Sequence, residues 1–321
     1  MIDNNSELMI NRAEILGKVI DKYKGLLSAR KVNLPKFVKI VEVGPRDGLQ
    51  NEKTIVPADV KIEFINMLSE TGLTQIETTS FVSPKWVPQM GDNMEVFTKI
   101  KKYPGVNYTT LVPNKLGMES AIKAGCNEIA VFTAASEGFT KKNTNCTINE
   151  SFDRFKEVVE MAKDKNIKIR GYVSCVMGCP YDGETDPKLV DSVTNRLLDL
   201  GCYEVSLGDT IGVGTPEKTQ ILCDALTAPK SKLAAHFHDT YGNAIENILV
   251  ALSNGISVVD SSVGGLGGCP YAKKAAGNVC TENVVKVLHS LGVKTNIDVA
   301  KLRQAGEFMT KQVAKENQAI L

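Results

Sequence analysis

Lys232-Leu233-Ala234-Ala235-His236-Phe237-His238 reads as one β-strand, an apolar run entered from the break at Pro229-Lys230-Ser231 and ending in two histidines. A helix is expected to follow over 244–253, stopped by Gly255, so the stretch is one βα unit. Side chains at i and i+2 of a strand share a face. His236 and His238 therefore present their imidazoles to one side and Phe237 points to the other. Two imidazoles so placed are good ligands for a divalent metal, the bland alternative being a pair with satisfied hydrogen bonds. The rest of the chain decides between them.

The same strand–loop–helix pattern begins at residue 38 and occurs eight times. Strands are expected at 38–43, 75–79, 108–112, 128–132, 167–173, 204–207, 233–238 and 258–263. The matching helices are expected at 57–70, 93–102, 116–124, 148–165, 187–200, 216–226, 244–253 and 281–290. Pro57 opens the first helix, and Gly72 closes it, as C-terminal glycines do. Eight regular units in about 255 residues match the size of an α/β fold of the (β/α)8 TIM-barrel class. The competitor, a doubly wound open sheet, lacks support because no Gly-x-Gly-x-x-Gly turn follows the first strand. No linker divides the array. Residues 1–35 are expected to form an N-terminal helical extension, and 36–321 a catalytic barrel domain with C-terminal helices.

Bulk properties narrow the partners. The 321 residues are 43% apolar and 23% charged, in the range of globular proteins. Thirty-eight Lys+Arg against 37 Asp+Glu leave a net charge of +1, which gives nucleic acid or a membrane surface no bulk attraction. No apolar run reaches the ~18 residues that span a bilayer. The basic residues of 1–35 are interspersed with Asp3, Glu7, Glu14 and Asp21, whereas mitochondrial presequences are poor in acids. A cytoplasmic location is expected, with the mitochondrion as the alternative. The eight scattered cysteines fit free thiols in a reducing compartment.

In such barrels active sites form at the C-terminal ends of the strands, and polar residues crowd there in this chain. The first strand runs into Gly44-Pro45-Arg46-Asp47-Gly48-Leu49-Gln50, and the second carries Glu77. Arg170 and Tyr172 lie on the fifth, Ser206, Asp209 and Thr210 at the sixth, and a Gly-rich loop with Cys269 and Asn278 follows the eighth. Asp47, His236, His238 and Asn278 make a mixed oxygen and nitrogen set, which favours Mg²⁺ or Mn²⁺ over structural zinc. Arg46 is expected either in an ion pair with Glu77 or Asp209, or stabilising a developing oxyanion. Cys269 is expected either as a buried filler or as a proton donor to a carbanion.

Several long runs carry a resemblance. Gly44-Pro45-Arg46-Asp47-Gly48-Leu49-Gln50-Asn51-Glu52 resembles the Asp-Arg-Glu-type barrel metallolyases and Claisen-condensing enzymes. The runs Ser80–Met90, Arg170-Gly171-Tyr172-Val173-Ser174-Cys175, Ser206–Pro216 and Gly264–Tyr271 narrow it to the hydroxymethylglutaryl-CoA lyases, over roughly residues 36–310. The resemblance implies metal-dependent retro-Claisen cleavage of the acyl-CoA to acetoacetate and acetyl-CoA, as in leucine degradation and ketogenesis. It implies catalytic roles for Arg46, Cys269, Glu77, Asp209 and His236, with Asp47 or His236 as the base. Arg46, Lys53, Asn143, Arg170, Tyr172, Ser206 and Thr210 are expected to contact substrate, and a homodimer is expected. Two other readings compete: a bond-forming synthase of the same superfamily, which adds a regulatory C-terminal domain, and a catalytically silent CoA-binding barrel.

Overall fold

Runs rich in valine and isoleucine, separated by helices, can bury both faces only in a parallel sheet covered on its outer side. The sheet closes on itself. The computed structural model describes residues 4–29, 31–267 and 277–318. Its strands are β1 (Lys39–Glu42), β2 (Gln75–Ser80), β3 (Asn107–Leu111), β4 (Glu128–Ala134), β5 (Lys168–Ser174), β6 (Glu204–Asp209), β7 (Leu233–Phe237) and β8 (Val258–Ser261). They pair in chain order, all parallel, and β1 pairs with both β2 and β8. The expected (β/α)8 TIM barrel is the observed fold.

An N-terminal helix, α1 (Asn4–Ser28), precedes the barrel. Around the sheet lie α2 (Ala58–Ser69), α3 (Asn93–Lys99), α4 (Lys115–Ala124), α5 (Glu137–Thr144) and α6 (Ile148–Asp164). They continue as α7 (Pro187–Leu200), α8 (Pro216–Ala225), α9 (Ala244–Ser253), α10 (Thr281–Ser290) and α11 (Val299–Gln318). Local chemistry sets their starts: Thr147 and Glu150 form a capping box on α6, and Pro187 and Pro216 occupy the first turns of α7 and α8. Helix α5 was not expected, since its eight residues, Glu-Gly-Phe-Thr-Lys-Lys-Asn-Thr, show no apolar stripe. Ser136 starts it by accepting the Phe139 N–H.

Two cores result. Outward-facing strand residues such as Ile76, Ile129 and Val205 pack with Phe64, Val158 and Leu197 of the helices. The barrel interior, usually filled by aliphatic layers, carries polar layers here beside small apolar clusters such as Val41, Ala234 and Val258. Lys39 Nζ donates to Glu204 (2.9 Å) and Gln75 (3.1 Å), while Gln75 and Tyr203 both donate to Glu128 (2.7 Å each).

At the C-terminal end, one carboxyl group fastens three loops. Glu42 Oε1 accepts the N–H of Gly44 (2.8 Å) and of Val263 (2.9 Å), and Oε2 accepts the Thr281 hydroxyl (2.7 Å). Phe64, fully buried, packs under the same turn at Gly44. Phe64→Ala is expected to cost about 3–5 kcal/mol, read from the denaturant midpoint. Burial pushes the Glu42 carboxyl up to about 8, against the pull of Val263, Thr281 and Gly44. An unfolded glutamate titrates near about 4.3. The fold thus favours protonated Glu42, and that stability is complete below the unfolded value, falls as pH rises between the two, and is gone above about 8. Midpoints taken from pH 5 to 9 are expected to fall more steeply in wild type than in Glu42→Gln up to that pH and in parallel above it. Parallel curves throughout would refute this account.

Candidate active site

Immediately after β1 the chain makes a π-helical turn, Gly44–Gly48, with Pro45 in its first turn. The turn projects Arg46 and Asp47 over the mouth of the barrel. Arg46 Nη1 bonds Asp47 Oδ1 and its Nη2 bonds Glu77 Oε2 from β2, each at 2.8 Å. Tyr172 from β5 donates to the same Glu77 oxygen (3.2 Å), and its ring lies 5.6 Å from the Arg46 guanidinium carbon. Arg46 is buried, and its Nε–H has no partner among the described residues; neither has Glu77 Oε1.

Beside this cluster, β7 brings His236 and His238 up on one side. Their rings lie 5.5 Å apart, as the i, i+2 spacing requires. One ligand atom from each of Asp47, His236 and His238 falls within 4.8 Å of the others. Asn278 reaches in from the far end of the chain, donating its amide to Asp47 Oδ2 at 2.8 Å. Burial would raise the Asp47 carboxyl, but Arg46 first, then His236, His238 and Asn278, hold it down at about 2. Burial and the neighbouring His236 push His238 down to about 4, so its ring is neutral. Its Nδ1 is buried without a partner among the described residues. Burial would lower His236, but the hydrogen bond and charge of Asp260, then the charge of Asp47, raise it, so a cation there competes with a proton. An anionic carboxylate, a neutral imidazole with an orphaned ring nitrogen and this second imidazole form a donor set that fits a divalent cation.

The remaining expected residues divide into three groups. Tyr172 lines the wall beneath Arg46. Lys53, in the loop after the π-helical turn, and Asn143, on α5, are exposed on segments that follow β1 and β4, at the barrel's active end. Four others are engaged elsewhere. Arg170 is fully buried below the site, bound by Glu204 and Asp260, so its guanidinium does not reach the mouth as expected. Ser206 is equally buried and donates to Asp260 (2.8 Å). Thr210 accepts the Cys175 N–H (2.8 Å) and ties two loops together. Asp209 does not pair with Arg46; its oxygens accept the N–H groups of Val213 (3.1 Å) and Gly214 (2.8 Å), and burial pushes it up to about 6 against Gly214, Val213 and Gly212.

Cys269 lies outside the described residues, but both flanks of its segment converge on the site. Gly267, at φ +95°, packs so tightly on Gly48 and Asn278 that a Cβ there would stand 2.8 Å from the Asn278 amide nitrogen. The seven described cysteines are free thiols. Sequence reasoning missed Asp260, which meets His236 Nδ1 at 3.3 Å. Its signal was an acidic residue directly after two valines inside a strand, in register with His236.

Comparisons with known proteins agree with this geometry. Residues 37–309 match the HMGL-like family. The rat protein named 3-hydroxy-3-methylglutaryl-CoA lyase, cytoplasmic, is 58% identical over 284 residues, covering 88% of this chain and 83% of its own. The crystal structure of an HMG-CoA lyase from Brucella melitensis superposes with a TM-score of 0.85 at 54% identity, over 86% of this chain and 99% of that one. An HMG-CoA lyase from Acinetobacter baumannii, solved with coenzyme A and 3-methylmalate, gives 0.82 at 36% identity, over 87% and 92%. A chain whose barrel and sequence match these over most of its length belongs to the HMGL-like family.

Proposed function

We propose that this chain is a divalent-metal-dependent hydroxymethylglutaryl-CoA lyase, cleaving HMG-CoA to acetoacetate and acetyl-CoA. The observation that carries the reading is the juxtaposition of Arg46, paired with Asp47 and Glu77, and the Asp47–His236–His238 group. Relatives of this sequence and fold carry the same name, and one of them binds coenzyme A.

Asp47, His236 and His238, joined by Asn278, would hold Mg²⁺ or Mn²⁺. When bound, such a cation supplies Lewis-acid polarisation of oxygens on the substrate. The chain's own residues do the rest. Asp47 or His236, whichever keeps a lone pair not given to the cation, takes the proton of the tertiary hydroxyl as the carbonyl of acetoacetate forms. The carbon–carbon bond electrons move onto the departing acetyl thioester as an enolate. Arg46 stabilises the enolate oxygen with its positive charge while Glu77, with Tyr172 behind it, holds the guanidinium plane. Cys269 then protonates the carbanion carbon. Lys53 and Asn143 face the CoA or acyl chain, from the rim.

A homodimer in the cytoplasm completes the proposal, supported by the family resemblance and by the rat relative's printed location. The bond-forming alternative predicts acetyl-CoA incorporation into a 2-oxo acid instead.

Acetoacetate release from HMG-CoA is expected to vanish on chelation and return with Mg²⁺ or Mn²⁺; release that ignores chelator would sink the metal reading. Arg46→Met is expected to lower kcat by about 10²–10³-fold with the fold intact by circular dichroism. Cys269→Ala is expected to lower it by about 10²–10⁴-fold, and full turnover in that variant would remove the cysteine as proton donor.

A further inference from the structure

Arg170, Ser206 and Asp260 come from β5, β6 and β8 and meet beneath His236 in the barrel interior. Arg170 grips Asp260 with both terminal nitrogens, Nη2 to Oδ1 at 2.7 Å and Nη1 to Oδ2 at 3.0 Å. The Ser206 hydroxyl donates to Oδ2 at 2.8 Å, and His236 Nδ1 stands 3.3 Å from that same oxygen. Arg170 is anchored in turn by Glu204 at Nε (2.8 Å), and Glu204 by Lys39 (2.9 Å). Charges of alternating sign therefore form a column from the lower rim of the barrel to the underside of His236. Arg170 and Asp260 are both fully buried within it.

A carboxylate held by a two-pronged guanidinium is an acceptor only. The proton shared with His236 must then sit on Nδ1, which makes Nε2 the nitrogen presented to a ligand, on the side of Asp47, whose Oδ2 is 3.9 Å away. The Tyr172 ring, edge-on to the imidazole at 6.3 Å and 90°, walls the other side. His238 has no such partner among the described residues. The two histidines are thus inequivalent. One is pre-set before any ligand arrives and the other is not.

From this we infer that Asp260 is a positioning residue which, backed by Arg170 and Ser206, fixes the His236 tautomer and ring orientation for metal capture. The inference rests on the metal site proposed above. A purely structural ion pair would stabilise the barrel without changing metal affinity. A positioning carboxylate behind a ligand histidine typically changes affinity by about 10–100-fold.

The test uses metal-stripped full-length protein titrated with Mn²⁺, followed by electron paramagnetic resonance, for wild type, Asp260→Asn and Asp260→Asn/Arg170→Gln. The double variant removes both buried charges together, so a folding failure of the single one leaves a usable protein. Circular dichroism and melting select the folded variants. The expected result is a Kd for Mn²⁺ raised about 10–100-fold, with a smaller loss of kcat at saturating metal. In parallel, ¹⁵N NMR of the imidazoles in metal-free wild type is expected to show the Nδ1–H tautomer for one of the three histidines, lost on Asp260→Asn/Arg170→Gln. Folded variants that bind Mn²⁺ as wild type does, or a wild-type His236 carrying its proton on Nε2, would overturn the inference while leaving the metal site in place. Wild type that binds no Mn²⁺ would overturn both.

Discussion

Pairing of β1 with β8 closes the barrel, and the site exists only because of that closure. Asp47, just past β1, and Asn278, past β8, are 231 positions apart in sequence yet share a 2.8 Å hydrogen bond. Glu42 works at the same seam, where its carboxyl group joins the turn after β1, the start of the segment after β8 and the first residue of α10. Loop-closure entropy makes so distant a contact costly to form. The barrel meets that cost once, through its strand ladder, and the site residues then meet with little further ordering. Arg46, Asp47, His236 and His238 all sit on or immediately beyond strands, where the backbone is most constrained.

Much of this was legible because strand and helix periodicities are strict. Two histidines at i and i+2 had to share a face whatever the fold, and eight βα units had to bury both faces of their strands. Depth along a strand was the harder quantity. Arg170 and Ser206 are polar residues on strands, like Tyr172 and Asp209, but Arg170 lies one inward position below Tyr172, level with Glu204, and Ser206, level with Tyr172, turns to Asp260. A polar strand residue marks the interior; only register says whether it faces substrate or supports what does. Asp260 was overlooked for that reason.

Helix α5 escaped notice for a different reason. Eight mostly polar residues lie near the nucleation limit for an isolated helix. It forms because Ser136 caps it and Asp182, from the neighbouring loop after β5, accepts both the Ser136 hydroxyl (2.6 Å) and the Gly138 N–H (2.8 Å). Tertiary contacts make this helix, and sequence-local reasoning does not see them. Asn143 rides on it, so the placement of one expected substrate contact depends on a polar lock more than thirty residues away.

The polar interior has a further consequence. Buried ion pairs are seldom a net source of stability, since desolvation offsets their attraction, whereas breaking one leaves an uncompensated charge. A barrel that fills its axis with Lys39, Glu204, Arg170 and Asp260 therefore gains a unique arrangement more than it gains stability. An aliphatic plug of equal volume would offer His236 Nδ1 no acceptor in place of Asp260. Each member of the column is held by the next through directional bonds of 2.7–3.0 Å, so the orientation of one imidazole is set by strands on opposite sides of the barrel. The buried column is thereby continuous with the barrel mouth, and its least accessible members are the ones bonded to the underside of His236.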